Sequence, residues 1–295
     1  HEEGRSMRDL IETSRANVAK SINTNEKNVI FTSGGTEAID IALNQNPGRI
    51  IINSTEHIAV FEAAKDTGSK IEILEVDYNG IVDLDNLETM LSKSPALVCI
   101  MFANNETGVI QPIEKISEIV RKYNSYLFCD AVQAYGKIKI NFDQLNIHFM
   151  ALSAHKVGGF PGSGALIINE NIKKIIPKIS GGGQEFGMRG GTENLIGITA
   201  FGECAKLIDK IYSENIKLKE YINILEKNIE SFGGFIFGVN TERLPNTSFF
   251  AFPDINADTL LMKLDLAGYS VSSGSACSSG KVKKSHVLEA MNIDD

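Results

Sequence analysis

Phe149-Met150-Ala151-Leu152-Ser153-Ala154-His155-Lys156-Val157-Gly158-Gly159 is an apolar run that closes on a serine, a histidine, a lysine and a glycine turn. Apolar on both faces, its first half reads as a central strand of a covered sheet. A lysine at such a strand end is unusual. Desolvation there would lower its pKa and leave more free amine, a nucleophile for carbonyl carbon. The competing reading is a solvated surface lysine, the commoner case for a lone Lys. Upstream, Tyr126-Leu127-Phe128-Cys129-Asp130 repeats the pattern with a carboxylate at its end. A buried carboxylate is costly unless it meets a cation or donor, although Asp130 could instead cap a helix. Gln133, three residues on, can reach the same place from the adjoining turn.

Outward from this pair, further short β-branched runs alternate with amphipathic stretches. Strands are expected at Val29–Thr32, Arg49–Asn53, Ile71–Val76, Leu97–Phe102, Tyr126–Asp130, Phe149–Ser153 and Ala165–Ile168. Helices are expected at Thr36–Leu43, Ile58–Lys65, Leu84–Leu91 and Ile113–Tyr123. This alternation predicts an α/β fold, a mostly parallel sheet with helices on both faces. Ligands of such sheets bind beyond the carboxyl ends of the strands. From Ala205 to Phe232 a long one-faced helix is expected, with Leu218, Ile222, Leu225 and Ile229 on its apolar side. Short strands at Phe235–Val239 and Thr247–Phe252 and a helix at Ala257–Leu266 follow. The division expected is a large domain, 1–210, and a smaller α+β domain, 211–295.

The chain has 295 residues, 43% hydrophobic and 22% charged, with a net charge of −8. The acidic balance argues against nucleic acid or an anionic membrane as main partner. No apolar run approaches the ~20 residues of a spanning helix, and a cytoplasmic protein is expected. Cys99, Cys129, Cys204 and Cys277 form no CxxC pair. The fourth differs from the rest. Ser272-Ser273-Gly274-Ser275-Ala276-Cys277-Ser278-Ser279-Gly280 contains only small residues, so nothing there fills a core and the thiol is presented on a supple loop.

The other strand ends carry matching chemistry. Thr32-Ser33-Gly34-Gly35-Thr36-Glu37 makes an anion cup at a helix start, or an ordinary capped one, and lacks the spacing of a nucleotide-binding loop. Ser54-Thr55-Glu56-His57 follows one strand, and Asn104-Asn105-Glu106-Thr107-Gly108 another. Pyridoxal phosphate asks for these parts together: a lysine for its aldehyde, a carboxylate for its ring nitrogen and a cup for its phosphate. Lys156, Asp130, and Gly35, Thr36, Ser153 and His155 supply them, with His57 against the ring and Asn105 and Gln133 at its hydroxyl.

In family order the chain resembles a cysteine desulfurase of the NifS/IscS kind, a class V aminotransferase of pyridoxal-phosphate fold type I. The carrying motifs are Thr32–Glu37, Thr55–His57, Asn104–Gly108, Asp130–Gln133, Ser153–Lys156, Arg189–Thr192 and Ser272–Cys277. The resemblance implies that Lys156 holds the cofactor and that Thr192 reaches the phosphate of a partner subunit, hence a homodimer with shared sites. It also implies that Cys277 takes sulfur from L-cysteine as a persulfide, His57 or the substrate helping to deprotonate it. The sulfur then passes to an acceptor such as an iron–sulfur scaffold or a tRNA-thiolation protein. No resident metal is implied, beyond a cluster that Cys277 could share with that scaffold. The family pattern has an arm before His1 and a segment after Asp295 that carries an arginine for the substrate carboxylate, so a truncated sequence is expected. The alternatives are a selenocysteine lyase, another class V aminotransferase or lyase, and an inactive scaffold fragment.

Overall fold

The structure is a computed structural model that describes residues 2–253, 255–273 and 285–293. Its elements, in order, are α1 (Glu2–Ser21), β1 (Val29–Thr32), α2 (Gly35–Leu43), β2 (Arg49–Asn53), α3 (Ile58–Asp66), β3 (Lys70–Leu74), α4 (Leu84–Lys93), β4 (Leu97–Cys99) and α5 (Ile113–Lys122). Then come β5 (Tyr126–Asp130), α6 (Phe142–Leu145), β6 (Phe149–Ser153), β7 (Gly164–Ile168), α7 (Leu195–Lys206), α8 (Ile208–Ser231), β8 (Phe235–Ile236), β9 (Phe250–Ala251), α9 (Ala257–Leu266) and α10 (His286–Ala290).

One sheet of seven strands, in the order β1-β7-β6-β5-β4-β2-β3, forms the centre. Only β7 runs against its neighbours; β6, β5, β4, β2 and β3 pair in parallel. Alternate residues of β1, β2, β4, β5, β6 and β7 feed two cores. Val29, Phe31, Val98, Leu127 and Leu152 pack under α1, α4, α5 and α7. Ile30, Ile52, Cys99, Phe128 and Ala151 pack under α2 and α3. Strands covered on both faces read as unbroken apolar runs, which is why β1, β2, β5 and β6 have the bounds expected from sequence.

Other expectations fail: the strands expected at Ile71–Val76, Phe235–Val239 and Thr247–Phe252 are found at Lys70–Leu74, Phe235–Ile236 and Phe250–Ala251. The strand from Leu97 ends at Cys99, because the Met101 amide leaves the ladder and donates to the Glu56 carboxyl. Ile100 and Phe102 still donate to β5 carbonyls, at 3.0 and 2.8 Å. The long helix breaks at Leu207 into α7 and α8, and its apolar side is not core. Leu218 and Leu225 are 42% and 44% exposed, and only Glu226 and Ile229 of α8 are buried. The two-residue strands β8 and β9 cannot cover a 24-residue helix. Residue 210 lies in the first turn of α8. None of the helices among the described residues is long and apolar enough to cross a membrane.

Candidate active site

Five strand ends converge on one side of the sheet. After β1, Gly34 opens α2 without any side-chain cap bond, so the first amides of the helix stay open to an anion. Gly35 is required there: a Cβ would lie 2.8 Å from Val132, in the turn after β5. Glu37 accepts from the Ser33 amide at 2.6 Å and from Arg189 at 2.8 and 3.3 Å, tying the cup to the glycine-rich segment that ends at Thr192. Ser153 is buried at the end of β6, and its hydroxyl lies 2.9 Å from His155 Nδ1. Thr36, His155 and Thr192 are exposed.

Asp130 is 5% exposed at the end of β5, and its carboxylate accepts from the Val132 amide at 2.9 Å. Burial raises its pKa to about 6, against the opposing pull of that amide and of Lys156. Glu56, fully buried, is driven well above the usual carboxylate range by burial and then by Asp130. One Glu56 oxygen takes amide bonds from Met101 and Asn53; the other has no partner among the described residues. A raised acid binds its proton more tightly folded than unfolded, so Asp130 weakens the native state as pH rises from 3.8 to about 6. In cofactor-stripped protein, Asp130→Asn should therefore raise the melting temperature above pH 6 but not below pH 4. The gain is at most about 3 kcal/mol. Scanning calorimetry at the two pH values checks it.

His57 caps α3, its Nδ1 accepting from the Ala59 amide at 3.2 Å. Burial, then Lys156 and His286, lower its pKa, while Glu106 opposes them. The neutral ring then carries its proton on Nε2 and presents a donor.

Lys156 departs from expectation more directly. It stands in the helical turn Ala154–Val157 after β6 and is exposed, not desolvated. The strands have ended at this level, and none of the described elements covers it. Asn105 and Gln133 are half-buried at the same end of the sheet, and the Asn105 Oδ1 has no partner among the described residues. Cys277 lies outside the described residues. Of the described residues that flank it, Ser273 lines a cavity with Asn105 and Glu106, and Ser285 donates to Glu106 at 2.5 Å.

Sequence reasoning missed Glu56, Glu106 and His286. His286 Nε2 donates to the Glu56 carbonyl at 3.0 Å, so the start of α10 is fastened to two strand-end loops. Only the first two had a signal, as charged residues inside the quoted motifs.

The donor set fits pyridoxal phosphate. An uncapped helix start suits the phosphate, and a buried carboxylate with a raised pKa suits a protonated ring nitrogen. The half-buried Asn105 carries an amide NH2 to donate to the ring oxygen. Residues 1–292 match the aminotransferase class-V family, and the chain belongs to that family, whose members use this cofactor. Within it the chain groups with the NifS/IscS-like proteins. It is 40% identical to cysteine desulfurase IscS of Dictyoglomus turgidum, over 99% of this chain and 77% of that one. Against putative cysteine desulfurase IscS 1 of Bacillus subtilis the figures are 38%, 99% and 80%. A NifS-like protein from Rickettsia africae superposes with a TM-score of 0.91 at 37% identity, over 100% of this chain and 81% of the other. The fold is pyridoxal-phosphate fold type I.

Proposed function

We propose that this chain is a cysteine desulfurase that converts L-cysteine to L-alanine and keeps the sulfur as a persulfide on Cys277. The convergence of Asp130, His57, Asn105, Gln133 and Lys156 at neighbouring strand ends carries this reading, together with the relatives' identity. Pyridoxal phosphate, when bound, supplies the electron sink for charge at the substrate α-carbon. Lys156 supplies the amine that holds the cofactor and accepts the α-proton, and Asp130 pairs with the ring nitrogen. His57 stacks on the ring and offers Nε2–H. Gly35, Thr36, Ser153 and His155 hold the phosphate, and Thr192 serves the site of a partner subunit in a homodimer.

The Cys277 thiolate attacks the substrate sulfur. An S–S bond forms, the C–S bond breaks, and its electron pair stays with the carbon fragment, which is protonated to alanine. Cysteine plus enzyme thiol thus become alanine plus enzyme persulfide, with no external oxidant. The remaining thiols support this choice: burial raises the pKa of Cys99 and Cys129 well above the ordinary value and raises that of Cys204 as well. Inert buried thiols of this kind also fit a reducing, cytoplasmic setting. The persulfide then goes to an acceptor protein such as an iron–sulfur scaffold.

The test is a single turnover of the cofactor-loaded enzyme with L-cysteine. One alanine per persulfide is expected, with the added sulfur mapped to Cys277 by mass spectrometry. Pyruvate and free sulfide, or alanine formed only from selenocysteine, would point to the lyase chemistry instead.

A further inference from the structure

Gln133 sits in the helical turn that follows β5, where Ala134 and Tyr135 both donate to the Ala131 carbonyl, at 3.0 and 2.9 Å. Its side-chain Oε1 accepts from Lys137 Nζ at 2.7 Å. An ammonium has donors and no acceptor, so an amide facing it must turn its oxygen inward to that contact and its NH2 the other way. Lys137 is itself held in place. The preceding Gly136 has φ +76°, and a Cβ there would lie 2.7 Å from Val157, the neighbour of Lys156. The Lys137 amide donates to Ala134 at 3.0 Å. Its side chain is half-buried, and burial followed by the charge of Lys156 lowers its pKa to about 8, which leaves it mostly charged at neutral pH.

We propose that Lys137 is a positioning residue that locks the Gln133 amide with Nε2–H toward the cofactor's ring oxygen. The proposal rests on the reading that Gln133 faces that oxygen. With its oxygen turned to the ring, Gln133 would set lone pairs against a negatively charged acceptor. A free amide must choose its orientation, and Lys137 makes the choice beforehand.

The full chain, stripped of cofactor and reloaded, gives two readouts besides activity: the dissociation constant for pyridoxal phosphate and the pH titration of its bound absorbance. Lys137→Met should weaken binding about tenfold or more, as for a lost hydrogen bond to a charged group, and displace the titration. Lys137→Arg should restore both, and Lys137→Gln replaces the methionine variant should that chain not fold. Gln133→Leu should act in the same direction, and adding Lys137→Met to it should cause no further loss. If Gln133→Leu changes neither readout, the reading of Gln133 at the ring is wrong. If it changes both while Lys137→Met changes neither, the positioning role is wrong. An undiminished Lys137→Met loss in the Gln133→Leu background also overturns it, because Lys137 then acts directly.

Discussion

Replacing Lys156 with alanine should lower alanine production from cysteine by about 10²–10⁴-fold, the range for a lost general base, with almost no change in folding stability. The two halves of that expectation come from one fact. Lys156 is exposed and makes no hydrogen bond to any described residue, so its side chain contributes nothing that the fold needs. Surface changes of this kind stay within about 0.5 kcal/mol. It stands directly after β6, and its charge reaches Asp130 and His57. A thermal melt and a turnover assay on the same preparation separate the effects. Full turnover without the lysine would remove it from the chemistry.

Arg15→Met should have the opposite profile, a large loss of stability from a residue far from the reacting atoms. Arg15 and Glu185 are 2% and 4% exposed and form a bidentate pair at 2.7 and 2.9 Å. Glu185 also accepts from the Phe31 amide at 2.8 Å, and Arg15 donates to the Val29 carbonyl at 2.7 Å. The guanidinium lies between the rings of Phe31 and Phe186, 4.9 and 5.0 Å from their centres. Breaking a buried pair by deleting one partner costs about 3–5 kcal/mol, because the other charge stays buried. The pair also holds backbone strain in place, so the segment around Glu185 is where the structure gives way. Glu185 and Phe186 have φ of +47° and +57°, conformations that non-glycine residues hold only when their surroundings compel them. The melting temperature should fall by roughly 10 °C. Cofactor retention should fall with it, since Arg189 and Thr192 follow in the same segment. Arg15→Lys should not rescue, because one ammonium cannot reproduce the fork. A melt within a degree or two of the parent chain would show that the pair holds little.

The architecture was legible because buried parallel strands need apolar residues on both faces, so β2, β5 and β6 stand out without any partner in view. The site was legible where a polar residue closes such a run, as at Asp130 and Lys156. What escaped depends on encounters across the chain. Glu56 ends a strand belonging to residues 45 positions later. Arg15 finds its partner 170 positions away. The apolar stripe of α8 obeys helical periodicity, yet periodicity reports a preference for burial and not the presence of a cover. The exposure of Lys156 was missed for a related reason: the end of an apolar strand marks where the core stops as well as where it leads.

The loop from Asn104 to Gly108 has one more implication. It presents Asn105, its Glu106 takes the hydroxyl of Ser285, and its Gly108 carbonyl accepts from Leu244 at 2.8 Å. The proposed ring contact, the foot of α10 and the chain beyond α8 therefore share five residues of backbone. By reciprocity, whatever factor a molecule that grips α10 imposes on the hold on the cofactor, the cofactor imposes on that molecule in turn. Occupancy at one end becomes a message readable at the other.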